Sequence, residues 1–284
     1  MQQSEVSGNH TLLDRRLKYE HSNAEEELKR TGYPAYTTTV GWLGYSDETV
    51  RDNCKQALLE GYTRFKAKVG DSIDNDKKRL ALIREQIGDS NLLMVDANQK
   101  WDVDTAIAWM KELKGYNLLW IEEPTAPDDV LGHARIAQHL NPLGIGVATG
   151  EQCHNRIMFK QFFQANGLQF CQVDATRMGG LNEVLAVLLM ANKFKVPVCP
   201  HAGGVGLCNY VQHIAAIDYI AVSGSLKNRM TEFCDHLHEN FRYGPTMRNG
   251  SYVLPDYDGY LGSMLPQSIA EFEFPTGTYW KSTE

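Results

Sequence analysis

The sequence of 284 residues lacks the features of several common protein classes. Its six cysteines include no C-x-x-C pair, which argues against a zinc site or a disulfide scaffold and favours a reducing compartment. The net charge of −7 argues against a nucleic acid or an anionic membrane as partner, so we expect neither. No apolar run approaches the length of a membrane span, and no targeting signal is visible. We therefore expect an intracellular protein, cytoplasmic or mitochondrial.

A nucleotide-binding loop is also missing. The glycine-rich turn at residues 203–206 does not follow the G-x-G-x-x-G order and precedes no ribose-binding acid. His236 and His238 are poorly spaced for sharing a metal ion on a helix, and no third ligand is near them. Reactive groups must therefore be sought elsewhere in the chain.

Six short apolar segments each end in an ionisable residue at nearly regular intervals. These residues are Lys68, Asp96, Glu122, Glu151, Asp174 and His201, separated by 23 to 29 positions. Each interval accommodates one strand, one helix and two loops. One such unit therefore delivers one reactive group, which is typical of a (β/α) barrel with its active site at the C-terminal ends of the strands.

Eight short apolar segments are predicted to be the strands of this TIM-like (β/α) barrel. They are Tyr36–Val40, Arg64–Val69, Leu92–Ala97, Leu118–Glu122, Gly146–Thr149, Phe170–Asp174, Val196–Cys199 and Tyr219–Ser223. Helices are predicted over Ala24–Arg30, after Ser46, before Gly88, before Gly115 and over Leu181–Phe194. A doubly wound open sheet is the competing fold, but it would gather ligands at one switch point rather than at strand after strand.

Three of the ionisable residues are carboxylates on neighbouring predicted strands. Asp96, Glu122 and Glu151 would converge at one mouth of the barrel, where a cation has to offset their mutual repulsion. Three oxygen ligands favour Mg²⁺, with coordination positions left for water and substrate. The alternative is that each acid caps a helix or faces solvent in a loop.

Basic residues lie on one face of the second predicted strand. Arg64, Lys66 and Lys68 are spaced two apart, so all three side chains point to the same side. We expect the neighbouring ammonium groups to lower each other's pKa, which would help one of them to act as a base. The alternative is a solvated basic face.

A carboxylate and an imidazole end two successive predicted strands. Asp174 could therefore fix the tautomer of His201. A metal ion with an amine on one side and an imidazole on the other suits removal of a proton next to a carboxylate.

These segments resemble the enolase superfamily, and within it the acid-sugar dehydratases of the mandelate racemase group. The matching segments are Phe65–Gly70 for the K-x-K strand, Val95–Asn98, Trp120–Pro124 and Ala148–Glu151 for the metal-bearing strands, Val173–Asp174 and Cys199–Gly204 for an Asp-His dyad, and Met230–Phe233 for a glutamate after the eighth strand. The run Pro200–Cys208 is further similar to L-fuconate dehydratases.

The resemblance implies Mg²⁺-dependent dehydration of a sugar acid, with L-fuconate as the expected substrate and 2-keto-3-deoxy-L-fuconate as the product. Mg²⁺ would bind to Asp96, Glu122 and Glu151 and stabilise the enediolate. The partner that the resemblance predicts is this small-molecule sugar acid. Family members often form homo-oligomers, so a homo-oligomer is possible here and the oligomeric state stays open.

The resemblance also assigns roles to six side chains. Lys68 would remove the C2 proton, and Lys66 would tune Lys68 and contact the substrate carboxylate. His201, oriented by Asp174, would protonate the departing 3-hydroxyl group. The further substrate contacts would be Asn98 and, at the substrate carboxylate, Glu232.

Three regions are expected from the resemblance. Residues 1–32 would be a partly disordered remnant of the family's capping domain, residues 33–239 the catalytic barrel, and residues 240–284 an irregular segment that would pack on a cap. The aromatic side chains expected to be exposed in the last region are Tyr252, Tyr257, Tyr260, Phe272 and Phe274. We therefore expect a poorly closed, wet site.

Two other functions stay open on the sequence. A racemase or epimerase of a 2-hydroxy acid would use Lys68 and His201 to exchange the C2 proton from either face. A chain without a full cap could instead be a non-catalytic binding or regulatory protein.

Overall fold

Six parallel strands follow one another around the sheet in sequence order. They are β1 (Tyr33–Gly41), β2 (Arg64–Lys68), β3 (Leu92–Asp96), β4 (Leu118–Glu122), β5 (Gly146–Thr149) and β6 (Phe170–Cys171). The structure, a computed structural model, describes residues 23–256, 259 and 262–281. Because all six strands run the same way, their C-terminal ends lie at one mouth of the sheet.

The sheet closes on itself through two further segments. Cys171 of β6 forms a parallel bridge with Val198, and the Glu232 N–H donates to the Pro200 carbonyl at 3.2 Å. Glu232 belongs to β7 (Thr231–Phe233), which pairs in parallel with β1. These contacts complete a ring of eight, so the predicted TIM-like barrel is confirmed.

Helices connect the strands on the outside of the ring, and two short helices lie in the C-terminal segment. A first helix, α1, covers residues 23–31 of the described chain. The others are α2 (Asp47–Leu59), α3 (Ile73–Ile87), α4 (Val103–Leu113), α5 (Val130–Leu140), α6 (Arg156–Ala165), α7 (Leu181–Phe194), α8 (Leu207–Ile217), α9 (Pro266–Phe272) and α10 (Thr278–Lys281). Ser46 accepts a hydrogen bond from the Thr49 N–H at the start of α2, as predicted, and Gly88 ends α3. No helix among the described residues is long and apolar enough to cross a membrane.

The last two strand predictions need correction. The segment Tyr219–Ser223 is not a strand, because α8 continues into a π-helical turn over Asp218–Ser223 that ends at Gly224. No proline or glycine interrupts the run before Gly224, so the helix has no reason to stop earlier. The eighth strand is instead β7, and the seventh reduces to the bridge at Val198.

A layer of large side chains fills the barrel below its mouth. Tyr36, Met94, Trp120 and Phe170 are buried there and belong to one cluster. The Trp120 ring packs 5.5 Å from Tyr36 and 4.8 Å from Phe170, measured between ring centroids. Burying each such side chain stabilises the fold by about 1.5–3 kcal/mol. This packed layer lies directly below the charged residues of the mouth and supports them.

The segment after residue 240 contains a hairpin of β8 (Thr246–Arg248) and β9 (Ser251–Val253). β9 pairs with the start of β1, and Tyr252 is fully buried there with its hydroxyl donating to the Glu232 carbonyl at 2.5 Å. The prediction that Tyr252 is exposed is therefore wrong. Phe272 and Phe274 are exposed as predicted. Tyr257, Tyr260 and residues 1–22 lie outside the described residues.

Candidate active site

The barrel mouth brings together the charged residues predicted for the site, whereas Arg64 lies at the other end of β2. Lys66, Lys68, Asp96 and Glu122 lie on β2, β3 and β4, and Glu232 lies on β7. Glu151, Asp174 and His201 follow β5, β6 and the Val198 bridge. Asn98 lies at the rim, where it is exposed and its backbone N–H donates to Asp96 Oδ1 at 2.8 Å.

Three carboxylates form a compact triad at the centre of the mouth. One oxygen from each of Asp96, Glu122 and Glu151 lies within 4.8 Å of the others, and all three side chains are buried or nearly so. Three ionised carboxylates this close repel one another strongly in a low dielectric. Hard oxygen donors at this spacing suit Mg²⁺, so the triad could bind a divalent cation.

Two lysines neutralise the triad from one side. Lys66 Nζ lies 2.5 Å from Glu122 Oε1 and 2.9 Å from Glu232 Oε1, and Lys68 Nζ lies 2.5 Å from Asp96 Oδ2. Burial lowers the pKa of Lys66, but the carboxylates of Glu122 and Glu232 raise that pKa more, so it lies well above its ordinary value. The predicted lowering of the lysine pKa by its neighbour is therefore wrong for Lys66, because carboxylates surround the ammonium.

Two neutral donors, Gln172 and Trp120, bind the carboxylate of Glu122. Glu122 Oε2 accepts hydrogen bonds from Gln172 Nε2 at 2.7 Å and Trp120 Nε1 at 3.3 Å. Burial and the nearby Asp96 raise the pKa of Glu122 to about 8, although Lys66 lowers it. Sequence reasoning gave Gln172 and Trp120 no role, yet each lies two residues before a charged strand end and therefore shares its face.

Asp174 and His201 form a hydrogen-bonded pair on the other side of the triad. His201 Nδ1 lies 2.8 Å from Asp174 Oδ2, and Asp174 Oδ1 accepts from both the N–H and the hydroxyl of Thr176 at 2.7 Å. Burial raises the pKa of Asp174, but the hydrogen bonds from His201 and Thr176 outweigh it, so the pKa lies below its ordinary value. The ionised carboxylate fixes His201 Nδ1 as a donor.

The second ring nitrogen of His201, Nε2, faces the triad. Nε2 lies 3.1 Å from Glu151 Oε2 and 3.5 Å from Glu232 Oε2. Burial lowers the pKa of His201, whereas Glu232, Asp174 and Glu151 raise it, to about 9. His201 therefore carries a proton at neutral pH and can donate it into the centre of the site.

Glu232 links the two sides of the mouth. It contacts both Lys66 and His201, and its Oε2 also accepts the Ala202 N–H at 2.9 Å. Burial raises the pKa of Glu232, but Lys66 and His201 lower it to about 2. Glu232 is therefore ionised, and Lys66 and the protonated His201 are its cationic partners.

The turn after the seventh strand requires glycine next to the imidazole. A Cβ on Gly203 would lie 2.6 Å from His201 Cε1, which is closer than any real contact. At the glycine-rich turn of residues 203–206, the backbone at Gly203 therefore lies directly against the imidazole ring of His201.

A tryptophan that the sequence analysis left out flanks Lys68. The ammonium of Lys68 lies 5.1 Å from the centroid of the Trp42 ring, in a cation–π contact. Trp42 directly follows β1 and is partly exposed at the mouth. Lys68 with Trp42 and His201 with Asp174 therefore stand on opposite sides of the carboxylate triad, as a base and an acid would around a substrate.

The chain is similar to several known proteins. The model of the family described as Enolase C-terminal domain-like matches residues 49–264. L-galactonate dehydratase of Hypocrea jecorina is 49% identical over 264 residues, covering 92% of this chain and 58% of that protein.

Two solved structures are similar to most of the chain. The crystal structure of human mitochondrial enolase superfamily member 1 is 52% identical with a TM-score of 0.92, covering 95% of this chain and 61% of that one. L-talarate/galactarate dehydratase of Salmonella typhimurium LT2, liganded with Mg and L-lyxarohydroxamate, is 30% identical with a TM-score of 0.74, covering 84% and 57%. The chain thus spans less than two thirds of each of these three proteins.

Proposed function

We propose, since the chain belongs to the Enolase C-terminal domain-like family, that it catalyses the Mg²⁺-dependent dehydration of a sugar acid. The observation that carries the proposal is the placement of Lys68 and His201 on opposite sides of a buried carboxylate triad. Removal of a proton at C2 and loss of a hydroxyl at C3 need a base and an acid around one cation site.

The triad of Asp96, Glu122 and Glu151 would hold the metal ion. Its oxygen donors suit Mg²⁺, and the similar L-talarate/galactarate dehydratase structure is liganded with Mg. When bound, Mg²⁺ supplies positive charge that stabilises negative charge developing on substrate oxygens.

The lysines would act on the carboxyl end of the substrate. Lys68 is less buried than Lys66, so we assign Lys68 as the base that takes the C2 proton. Lys66 keeps its proton, because its pKa lies well above its ordinary value, and it would pair with the substrate carboxylate. Glu232 is ionised and would reach that carboxylate through Lys66 rather than directly.

His201 would complete the elimination. Its protonated Nε2 would give a proton to the departing 3-hydroxyl group, while Asp174 holds the ring in position. Asn98 lies exposed at the rim, where it would contact the substrate.

We propose L-fuconate as the substrate. L-fuconate is L-galactonate without its C6 hydroxyl group, and an L-galactonate dehydratase is among the similar proteins. Dehydration would give 2-keto-3-deoxy-L-fuconate. The cytoplasmic or mitochondrial location, the homo-oligomer, the division at residues 1–32, 33–239 and 240–284 and the wet site stay predictions.

A sugar-acid screen tests the proposal. Purified chain is incubated with L-fuconate, L-galactonate and galactarate, with Mg²⁺ or with a chelator, and 2-keto acid is measured by a carbonyl derivative. We expect Mg²⁺-dependent product with L-fuconate, and none with Asp96→Asn. Exchange of the C2 hydrogen with solvent and no loss of water would favour a racemase or epimerase. No turnover on any acid would favour a non-catalytic binding or regulatory protein.

A further inference from the structure

A buried arginine on α3 binds the backbone beside Lys68. The Arg79 guanidinium donates from Nη1 to the Lys68 carbonyl at 2.7 Å, and from Nη2 to the Gly41 and Trp42 carbonyls at 2.7 and 3.1 Å. Arg79 is only 5% exposed. A single side chain therefore ties together the C-terminal ends of β1 and β2.

The carbonyls that Arg79 binds lie where the strand ladder is irregular. The register between β1 and β2 shifts between Thr37 and Gly41, so the end of β1 does not continue the regular pairing. The strands also approach closely, since a Cβ on Gly41 would lie 2.5 Å from Ala67 Cβ. Buried carbonyls without partners are costly, and Arg79 supplies the donors that the irregular ladder does not.

A second residue of α3 holds the chain on the far side of Lys68. Asp76, fully buried, accepts the Gly70 N–H at 2.7 Å and Trp109 Nε1 at 2.9 Å. The backbone of Lys68 is thus fixed through its own carbonyl by Arg79 and two residues later by Asp76.

The side chains that project from this backbone are the base and its aromatic neighbour. Lys68 Nζ contacts both the Trp42 ring and Asp96 Oδ2, so its position depends on the ends of two strands. A displacement of either end by 1 Å would move the ammonium relative to the triad, and such displacements can cost about 10²-fold in rate.

We propose that Arg79 is a positioning residue that fixes Lys68 and Trp42 at the barrel mouth. The catalytic part of this inference rests on the proposed function, in which Lys68 removes the C2 proton. The positional part concerns the fold of residues 40–45 and 66–70 and stands independently of any activity.

Arg84 provides a matched control on the same helix. Its guanidinium also donates to backbone carbonyls, those of Gly88, Asn91, Tyr116 and Asn117. These carbonyls precede β3 and β4, at the end of the barrel opposite to the mouth. If Arg79 only donated hydrogen bonds to backbone carbonyls and had no role in positioning Lys68, its substitution should affect kcat no more than substitution of Arg84.

The test compares Arg79→Met, Arg79→Lys and Arg84→Met in the full chain. Amide hydrogen exchange is followed by mass spectrometry, and kcat and KM are measured with Mg²⁺ and L-fuconate. We expect Arg79→Met to speed exchange in residues 40–45 and 66–70, whereas Arg84→Met speeds it near residues 88–91 and 116–117. Arg79→Met should lower kcat by about 10²-fold with KM within about threefold, and Arg79→Lys should restore part of the loss. Arg84→Met should keep kcat within about twofold.

The proposal is overturned if Arg79→Met leaves exchange around Lys68 unchanged, or if both methionine variants lose kcat equally. If wild-type chain turns over no sugar acid, the proposed function fails, and exchange alone decides: a local increase beside Lys68 and Trp42 supports positioning by Arg79, and a uniform or absent increase overturns it.

Discussion

Asp174 shows how a single carboxylate can be kept ionised inside the barrel mouth. Its two oxygens accept three hydrogen bonds, from His201 and from the backbone and hydroxyl of Thr176. These bonds lower the pKa of Asp174 despite burial, which raises it. A carboxyl whose folded pKa lies below its unfolded value of about 3.9 stabilises the folded state above that value.

We predict that Asp174→Asn destabilises the metal-free chain near neutral pH but less so in acid. The stabilisation from the ionised Asp174 is fully present above about pH 5 and is lost as the pH falls through the lowered folded pKa. Urea unfolding of wild type and variant between pH 6 and pH 3 measures the difference in the free energy of unfolding. A difference that widens toward low pH would contradict this account of Asp174.

An uncharged hydrogen-bond donor, Gln172, should also affect the metal site. Gln172 donates to Glu122 Oε2, so Gln172→Leu should weaken Mg²⁺ binding by about tenfold or more, because supporting partners orient metal ligands. Isothermal titration with Mg²⁺ measures the affinity, and Gln56→Leu, at an exposed glutamine of α2, is the control. Equal affinity of wild type and Gln172→Leu would mean that Trp120 alone suffices to hold Glu122.

The residue scale also marks the limit of sequence reasoning about the site. Alternation along a strand was enough to predict that Lys66 and Lys68 share a face, and the charged strand ends stood out against apolar segments. Arg79 was not predicted, because its partners are backbone carbonyls at the ends of two strands. Gln172 shares a strand face with Asp174, but its partner is a carboxylate on another strand. Nothing local in the sequence records such contacts.

At the scale of elements, the error over the eighth strand has a physical explanation. A short apolar run such as Tyr219–Val222 fits a buried helix as well as a buried strand, and local pattern does not separate them. The helices were predicted better, since capping residues such as Ser46 and Gly88 mark their ends. The connection from α8 to β7 is instead held by a buried ion pair, Asp218 with Arg229 at 2.7 Å.

Breaking that ion pair from one side should be costly. Arg229→Leu would leave Asp218 buried without its cation, and we expect a loss of about 3–5 kcal/mol in the free energy of unfolding. The double variant Asp218→Asn with Arg229→Leu removes the unpaired charge and should recover at least half of the loss. Urea unfolding of the three proteins measures both effects. A double variant as unstable as Arg229→Leu would show that the pair holds the connection by packing rather than by charge.

At the scale of the whole molecule, the barrel gathers groups that are far apart in sequence. Lys68 and His201 are separated by 133 positions, yet they flank one carboxylate triad because parallel strands end at a common mouth. The regular spacing of charged strand ends was therefore sufficient to predict the barrel and the convergence of these side chains at one mouth.

The most direct test of the account is the rate of 2-keto acid formation from L-fuconate by Mg²⁺-saturated Lys68→Met. The matched control is Lys78→Met, at an exposed lysine of α3 that pairs with Asp47 at 2.8 Å on the surface. Loss of the base should lower the rate by about 10²–10⁴-fold, and the control should retain the wild-type rate. With C2-deuterated substrate, wild type should be slowed, because the bond to that hydrogen is broken. A Lys68→Met variant that forms product at the wild-type rate would contradict the central claim.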